Sequence, residues 1–430
     1  MKLSTLLRIA DDYYVSPPFR HVYWNLDKVA KTSIKLLFHK NIEVRRYTKR
    51  DLKKLLFNQT SKQPHETIAR AFAAANWLLQ AQSATPDKGV SLGYFPLDGE
   101  HNGWRPSYPE TTGYIITSLI SFSRYLNIEN FREAALEMGN WEVIIQMSSG
   151  AVQGGPVTSL DKQTPAAFNT GMVLDGWCTL YEENSDSQII NAARRAADFL
   201  VNDINHDGYF ETNGHFVSEG EIKTYTCLCA WSLFRFGNLV NEVRYKNAAL
   251  TVIEAAIKMQ QPNGWFSHNC LGFSKAPLTH TIGYTLQAIL EIGLLANRVD
   301  FIEAVRVCVD SILNKIQPNG YLPARFYSDW EPASFSSCLT GNAQIAIVCY
   351  RLYQYTSEIH YQQKADLLMS FLMELQNIES DNLGIRGAIA GSFPITGDYM
   401  SAGYPNWATK YYLDALILKD TIEQQATVNM

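Results

Sequence analysis

Three short segments of this 430-residue chain share one pattern and one spacing. They are Asn205-His-Asp-Gly-Tyr-Phe210, Gln261-Pro-Asn-Gly-Trp-Phe266 and Gln317-Pro-Asn-Gly-Tyr-Leu322, and their glycines, Gly208, Gly264 and Gly320, lie 56 residues apart. A period of that length marks one supersecondary unit that buries its apolar face only by stacking on its neighbours. Each segment reads as a turn ending a helix, with glycine supplying a positive φ and the aromatic folding back as an anchor.

A second series carries the same period. Gly113, Gly171, Cys227, Gly283 and Gly341 each open an apolar helical stretch, at spacings of 58, 56, 56 and 58, and a sixth member begins near Asn406-Trp-Ala-Thr-Lys-Tyr-Tyr. Between the landmarks, amphipathic segments such as Ala69–Ala81, Phe131–Gln146 and Tyr245–Met259 place Arg, Lys and Glu on one face. These predict outer helices, whereas the sparsely charged stretches Tyr114–Ser123 and Ile282–Ile292 predict inner helices packed on both sides. The expected fold is all-α, an (α/α)6 toroid of six helical hairpins over 61–420. The last inner stretch stays apolar to Leu418, without the polar capping repeat of an open solenoid.

Residues 1–60 stand outside the repeat and predict a basic helical extension, with helices around Trp24–Phe38 and near Thr48–Phe57; 421–430 read as a polar tail. The extension holds 13 Lys/Arg against 5 Asp/Glu, a net charge of +8, which leaves −13 on the rest of a chain whose total is −5. A solvated helical face accounts for that charge, and peripheral contact with an anionic surface is its functional counterpart. No aromatic or glycine pattern of a nucleic-acid module accompanies it, so no nucleic-acid partner is expected. No apolar run reaches the roughly 18 residues needed to span a bilayer, and the apolar start, broken by Arg8 and Asp11, is short for a secretory leader. The seven cysteines form no Cys-x-x-Cys pair and read as buried thiols of a cytoplasmic protein, with no cofactor or metal expected. His206, Asp207, His215 and Glu219 lie close together but match no metal-ligand spacing.

In a closed double ring, the loops running from outer to next inner helix are long (roughly 15 to 30 residues) and converge on one mouth, where a rigid scaffold carries function. These loops hold aromatics beside carboxylates, Asn and Arg, an inventory suited to stacking on pyranose C–H faces and bonding hydroxyls. Trp104, Arg105, Asn269, Arg325, Trp330, Asp398, Tyr404 and Trp407 are the expected substrate-binding residues, and Arg105, Arg325 and Arg386 give the mouth anion-recognition capacity. Tyr209, Trp265 and Tyr321, which follow turn glycines, read as anchors. Glycoside hydrolysis needs two flanking carboxylates, for which Glu110, Asp329, Glu331 and Asp398 are candidates, with helix capping an equal reading for Glu110. Uronate lyase or epimerase chemistry needs a proton-abstracting base beside a group that neutralises a carboxylate. His268, His280, Tyr284 and Tyr399, with Asn269 and Arg325, suit that need.

The Gln-x-x-Gly-aromatic turns closing outer helices resemble those of the α/α-toroid proteins: six-hairpin glycosidases and the terpenoid cyclase and prenyltransferase superfamily. The resemblance spans about residues 65–420 and implies the toroid, with carbohydrate chemistry in its sugar-active branches. The Asp-x-Asp-Asp acid motif of terpene cyclases and the Asp-x-Cys zinc pair of protein prenyltransferases are absent. The expected function is therefore a carbohydrate-active enzyme processing an oligo- or polysaccharide, uronic-acid-containing polymers included, by hydrolysis or by lyase- or epimerase-type proton abstraction. A non-catalytic glycan-binding or assembly protein is the alternative from another class, and a terpenoid-cyclase-like enzyme is third.

Overall fold

The computed structural model of the chain describes residues 31–57, 66–98, 100–214, 221–272 and 275–428. Helix α1 (Ile42–Phe57) precedes the repeats, and residues 31–37 before it are also helical, while 24–30 of the expected first helix lie outside the described residues. The toroid comprises α2 (Thr67–Ser83), α3 (Pro109–Leu126), α4 (Glu129–Ile145), α5 (Ala167–Asn184), α6 (Ser187–Asp203), α7 (Leu228–Leu239), α8 (Val243–Lys258), α9 (Thr279–Ala296), α10 (Val299–Leu313), α11 (Leu339–Thr356), α12 (Ile359–Leu375) and α13 (Asn406–Val428).

The ring closes. The odd-numbered helices from α3 to α13 each pack on the next, and α13 returns to α3. Each is backed by the helix that follows it, while α13, the last in the chain, is backed by α2, the first of the toroid. The tight hairpins therefore run from inner to outer helix, and one of the six is assembled from both ends of the toroid. Their links are short because one residue turns the chain in the left-handed region: Asn127, Ser185, Asn241, Asn297 and Ser357 all have φ between 53° and 62°. Asn and Ser tolerate that conformation better than bulkier residues.

The two landmark series now have physical causes. The second marks where neighbouring inner helices nearly touch. A Cβ on Gly113 would lie 2.5 Å from Val173 Cα, and one on Gly283 would lie 2.7 Å from Gln344 Cβ. The threonine before two of these glycines holds the incoming loop, since Thr112 Oγ1 accepts from Val90 N (2.9 Å) and Thr170 Oγ1 from Val152 N (2.8 Å). The first series turns the chain at positive φ beneath the next outer helix: Gly264 has φ 83°, with Cys308 Cα 2.7 Å from where a Cβ would stand.

Glutamines near the ends of outer helices link each to the next. Gln82 Nε2 donates to Ala134 O, Gln146 to Ala192 O, Gln260 to Ala304 O and Gln376 to Arg70 O, the last joining α12 to α2 across the closure.

Two short antiparallel pairs brace the loops. β1 (Gly93–Tyr94) pairs with β4 (Tyr404–Pro405), Gly93 opposite Pro405, and β2 (Ser337–Cys338) pairs with β3 (Ser392–Phe393), Ser337 opposite Phe393. The loops leading into the inner helices are numbered by repeat, so that loop four is 259–278, loop five 314–338 and loop six 376–405. Helix α1 lies against loop six and the end of α12. Asp51 Oδ2 accepts from Ile395 N at 3.1 Å, Arg50 donates to Leu375 O, and Lys54 pairs with Glu374. The expected polar tail from 421 is helical to Val428, as its Glu, Gln and Ala residues favour continuing α13. Among the described residues, no helix is long and apolar enough to cross a membrane.

Candidate active site

All six inner helices begin at the same face, so their first turns ring the mouth. Aligning the chain on the second landmark series puts Glu110, Phe168, Thr224, His280, Cys338 and Trp407 in one slot, three residues before the glycine, with Lys410 replacing glycine in the sixth repeat. One residue after it stand Tyr114, Met172, Leu228, Tyr284, Asn342 and Tyr411. Four of the first set (Glu110, Phe168, His280 and Trp407) and Tyr284 of the second line a cavity of about 310 Å³. Loop residues complete the wall: Tyr108, Asn169, Asn213, Tyr225, Thr226, Tyr399 and Met400 among them. The volume is at the small end for a ligand site.

Glu110 is the second residue of α3, after Pro109. The helix has no side-chain cap bond, and Glu110 makes no hydrogen bond among the described residues, so the capping role open to it is not taken up. Its carboxyl keeps some surface on the cavity but sits deep in the protein. Burial raises its pKa to about 8, and the group is protonated at neutral pH.

His280, the second residue of α9, is buried, with Nδ1 2.8 Å from Gln344 Oε1. Burial lowers its pKa to about 4, against the opposing hydrogen bond, so the imidazole is neutral. With Gln344 Oε1 as acceptor, Nδ1 carries the proton and Nε2 keeps its lone pair. Gln344 reaches it by crossing Gly283.

Aromatic rings build the remainder. His280 lies 4.3 Å from the Tyr284 ring and 5.6 Å from that of Tyr399, while Phe168 stands 5.1 Å from Tyr284 and 5.5 Å from Tyr225. Trp407 Nε1 donates to Tyr399 Oη at 3.0 Å. Burial raises the phenols of Tyr284 and Tyr399 well above the usual range. Both phenols stay protonated at neutral pH. Beneath the cavity, the Lys410 ammonium pairs with Asp414 (2.8 Å) and lies 4.0 Å from the centre of the Tyr411 ring.

Of the residues expected at the site, Glu110, His280, Tyr284, Tyr399 and Trp407 come together here. The others do not. His268 is exposed at φ 55°, its carbonyl accepting from Thr224 N. Asn269 is wholly buried and fastens loop four to α9, its Oδ1 accepting from Thr285 Oγ1 at 2.9 Å. Asp329 is exposed in a turn, where Oδ1 accepts from Glu331 N. Trp330 is a buried anchor, its indole donating to Asn263 O.

The expected anion-recognising arginines are committed to structure or lie elsewhere. Arg325 is held by Asp398 (2.9 Å) and Ala276 O; Asp398 in turn accepts from Ser336 Oγ, so this pair ties loops five and six. Arg105 pairs with Asp98 and stacks 3.6 Å from the Phe95 ring centre. Arg386 is exposed on loop six. Tyr404 is buried in β4 against Tyr94, and Trp104 packs on Trp77 and Tyr94. Trp104 instead borders an open groove of about 1240 Å³ between α1 and the rim, with Arg45, Arg46 and Lys49 along its far side. His206 and Asp207 lie on an exposed turn, while His215 and Glu219 fall outside the described residues. Among the described residues, no three His, Cys, Asp or Glu side chains gather as a metal site would require.

Phe168, Asn169 and Asn213 belong to the cavity but were not anticipated. Phe168 had a usable signal, because it occupies the same slot as Glu110 and His280 in the repeat alignment.

No family model and no curated protein matches this sequence. Solved structures do match its fold. An unsaturated glucuronyl hydrolase specific for heparin superposes with a TM-score of 0.66 at 14% identity, over 83% of this chain and 97% of that one. The unsaturated glucuronyl hydrolase of Bacillus sp. GL1, responsible for glycosaminoglycan degradation, gives 0.63 at 15% identity, over 81% and 95%. A D-mannose isomerase gives 0.66 at 12% identity, over 83% and 97%. At such identities the likeness establishes the fold: an α/α toroid shared with six-hairpin, glycosidase-like enzymes.

Proposed function

We propose that this chain is a carbohydrate-active enzyme that takes one sugar unit into the inner cavity and moves protons on it, in chemistry of the isomerase, epimerase or lyase kind. One observation carries the reading: a protonated carboxyl and an unprotonated imidazole line the same small cavity at neutral pH. Such a pair supplies a proton donor and a proton acceptor together, with Glu110 donating and His280 accepting at Nε2. The aromatic walls suit the C–H faces of a pyranose. The fold shared with glucuronyl hydrolases and a mannose isomerase, enzymes named for sugar substrates, adds support. Two-carboxylate hydrolysis is less well served, since Glu110 is the only carboxylate among the described cavity residues.

The test is incubation with a panel of neutral and acidic sugars in D2O. Deuterium entering a C–H position, with or without isomerisation, supports proton transfer. Release of reducing ends without exchange would replace that mechanism with hydrolysis. Glycan binding that survives Glu110→Gln and His280→Ala with no turnover would make the chain a binding protein.

The aromatic lining also favours a second reading, a terpenoid-cyclase-like enzyme. Its weakness is chemical: a carboxyl raised to about 8 is a poorer acid than an ordinary one, whereas protonating an alkene needs a stronger one. Turnover of an isoprenoid and of no sugar would establish it. Seven cysteines, all buried and unpaired, support placing the protein in a reducing, cytoplasmic compartment.

A further inference from the structure

The polar groups of the cavity are arranged by where their own donors go. Asn169 Nδ2 donates to Gln153 O (2.9 Å), and Asn213 Nδ2 donates to Phe210 O (3.2 Å) and Glu211 O (3.3 Å). Asn213 thereby spends both N–H groups on backbone and Asn169 spends one, and each keeps an Oδ1 with no hydrogen bond among the described residues. Thr226 Oγ1 gives its proton to Lys223 O (2.7 Å), so only its lone pairs remain. His280 commits Nδ1 to Gln344 and presents Nε2. Four separate groups thus offer the cavity acceptors. Among the described residues lining it, none is lysine or arginine. Arg325 and Lys223 are each held by a carboxylate and a backbone carbonyl, and the Lys410 ammonium is paired with Asp414.

Acceptors without cations select for donors. A sugar hydroxyl satisfies an Asn Oδ1 or an imidazole Nε2, whereas a carboxylate or phosphate brings more lone pairs against those acceptors and a charge that the neutral O–H donors of Glu110 and the tyrosines can bond but no lining cation neutralises. We infer that the unit entering the cavity is uncharged, a neutral hexose or N-acetylhexosamine recognised through its hydroxyl donors, and that uronates and sugar phosphates are excluded from it. The inference rests on the reading of the cavity as a sugar site but goes past it, since the glucuronyl hydrolases sharing the fold are named for an acidic sugar. The protonated state of Glu110 agrees with it, because an ionised carboxylate would invite a cationic ligand instead.

The experiment is equilibrium binding, by calorimetry and saturation-transfer NMR, on the unmodified full chain at neutral pH. The probes are glucose, mannose, N-acetylglucosamine, glucosamine, glucuronate and glucose 6-phosphate. The expected result is saturable binding of at least one neutral sugar, tighter than glucuronate and the phosphate by at least about tenfold, the loss set by an unpaired charge entering a desolvated site. Glucuronate or the phosphate binding as tightly as the neutral sugars overturns the inference while leaving a sugar site. Glucosamine outbinding N-acetylglucosamine overturns it in favour of a cationic ligand. If none of the sugars binds but an isoprenoid does, the carbohydrate reading itself falls, and the inference with it.

Discussion

Repeats one and four place different residues in the same slot, and the comparison explains the chemistry of the mouth. Glu110 and His280 each stand second in an inner helix and face one cavity. Burial is the first cause of both pKa shifts, yet it moves them in opposite directions, Glu110 up to about 8 and His280 down to about 4. Removing water disfavours whichever form is charged, so an acid becomes a better proton holder and a base a poorer one. A single environment therefore yields a donor and an acceptor at the same pH, with no separate tuning of each. What differs is support. His280 has Gln344 beneath it, whereas Glu110 has no hydrogen-bonding partner among the described residues and is free to meet a ligand.

The hardest blow to the comparison is to remove either partner. Glu110→Gln or His280→Ala should each lower kcat by about 10²- to 10⁴-fold on whatever sugar is turned over, with the fold retained by circular dichroism. Equal activity in either variant would remove that residue from the chemistry.

Its pH dependence comes next in size. Activity should fall as pH rises through about 8, where Glu110 loses its proton, and as pH drops through about 4, where His280 gains one. Stability should show the linked effects. Glu110, raised above its ordinary 4.5, contributes stability that is fully present below that value and lost as pH rises through about 8. His280, lowered from 6.5, contributes stability present above 6.5 and lost as pH falls through about 4. Glu110→Gln should remove the upper limb of both profiles.

The support can also be transferred. Gln344→Glu places an anion against Nδ1 and should raise the His280 pKa, read by NMR titration of the imidazole, and move the acid limb with it while leaving the Glu110 limb in place. Gly283→Ala should give a related perturbation by pushing Gln344 aside, along with a stability loss of about 1–3 kcal/mol from overpacking, measured by denaturant unfolding. Gly113→Ala, which meets the backbone of Val173, should cost comparable stability without altering His280.

The smallest effect is expected where the loops carry no cavity residue. Asp329→Asn, on an exposed turn, should change stability by less than about 0.5 kcal/mol and leave activity unaltered. A large loss there would mean that the reacting centre extends into loop five.

The legibility of the site follows the same division. Residues near the helix starts are legible from the repeat, because the slot three residues before the landmark position lines the cavity in four of six repeats: Glu110, His280 and Trp407 among the expected residues, and Phe168 beside them. Among loop residues only Tyr399 was legible. Arg325, Asp398, Trp330 and Asn269 have the chemistry of a sugar site, but the same groups tie loops to one another, and composition does not say which partner a side chain meets.

By itself, the sequence determined the toroid. A 56–58-residue period in two independent landmarks is local information, written in turn glycines and in glycines where inner helices nearly touch, and each unit buries its apolar face only against the next. Tertiary structure decided which end pairs with which, α13 with α2, and which groups share a cavity. Glu110 and His280 are 170 residues apart, and their opposite protonation states arise from burial that neither local sequence contains.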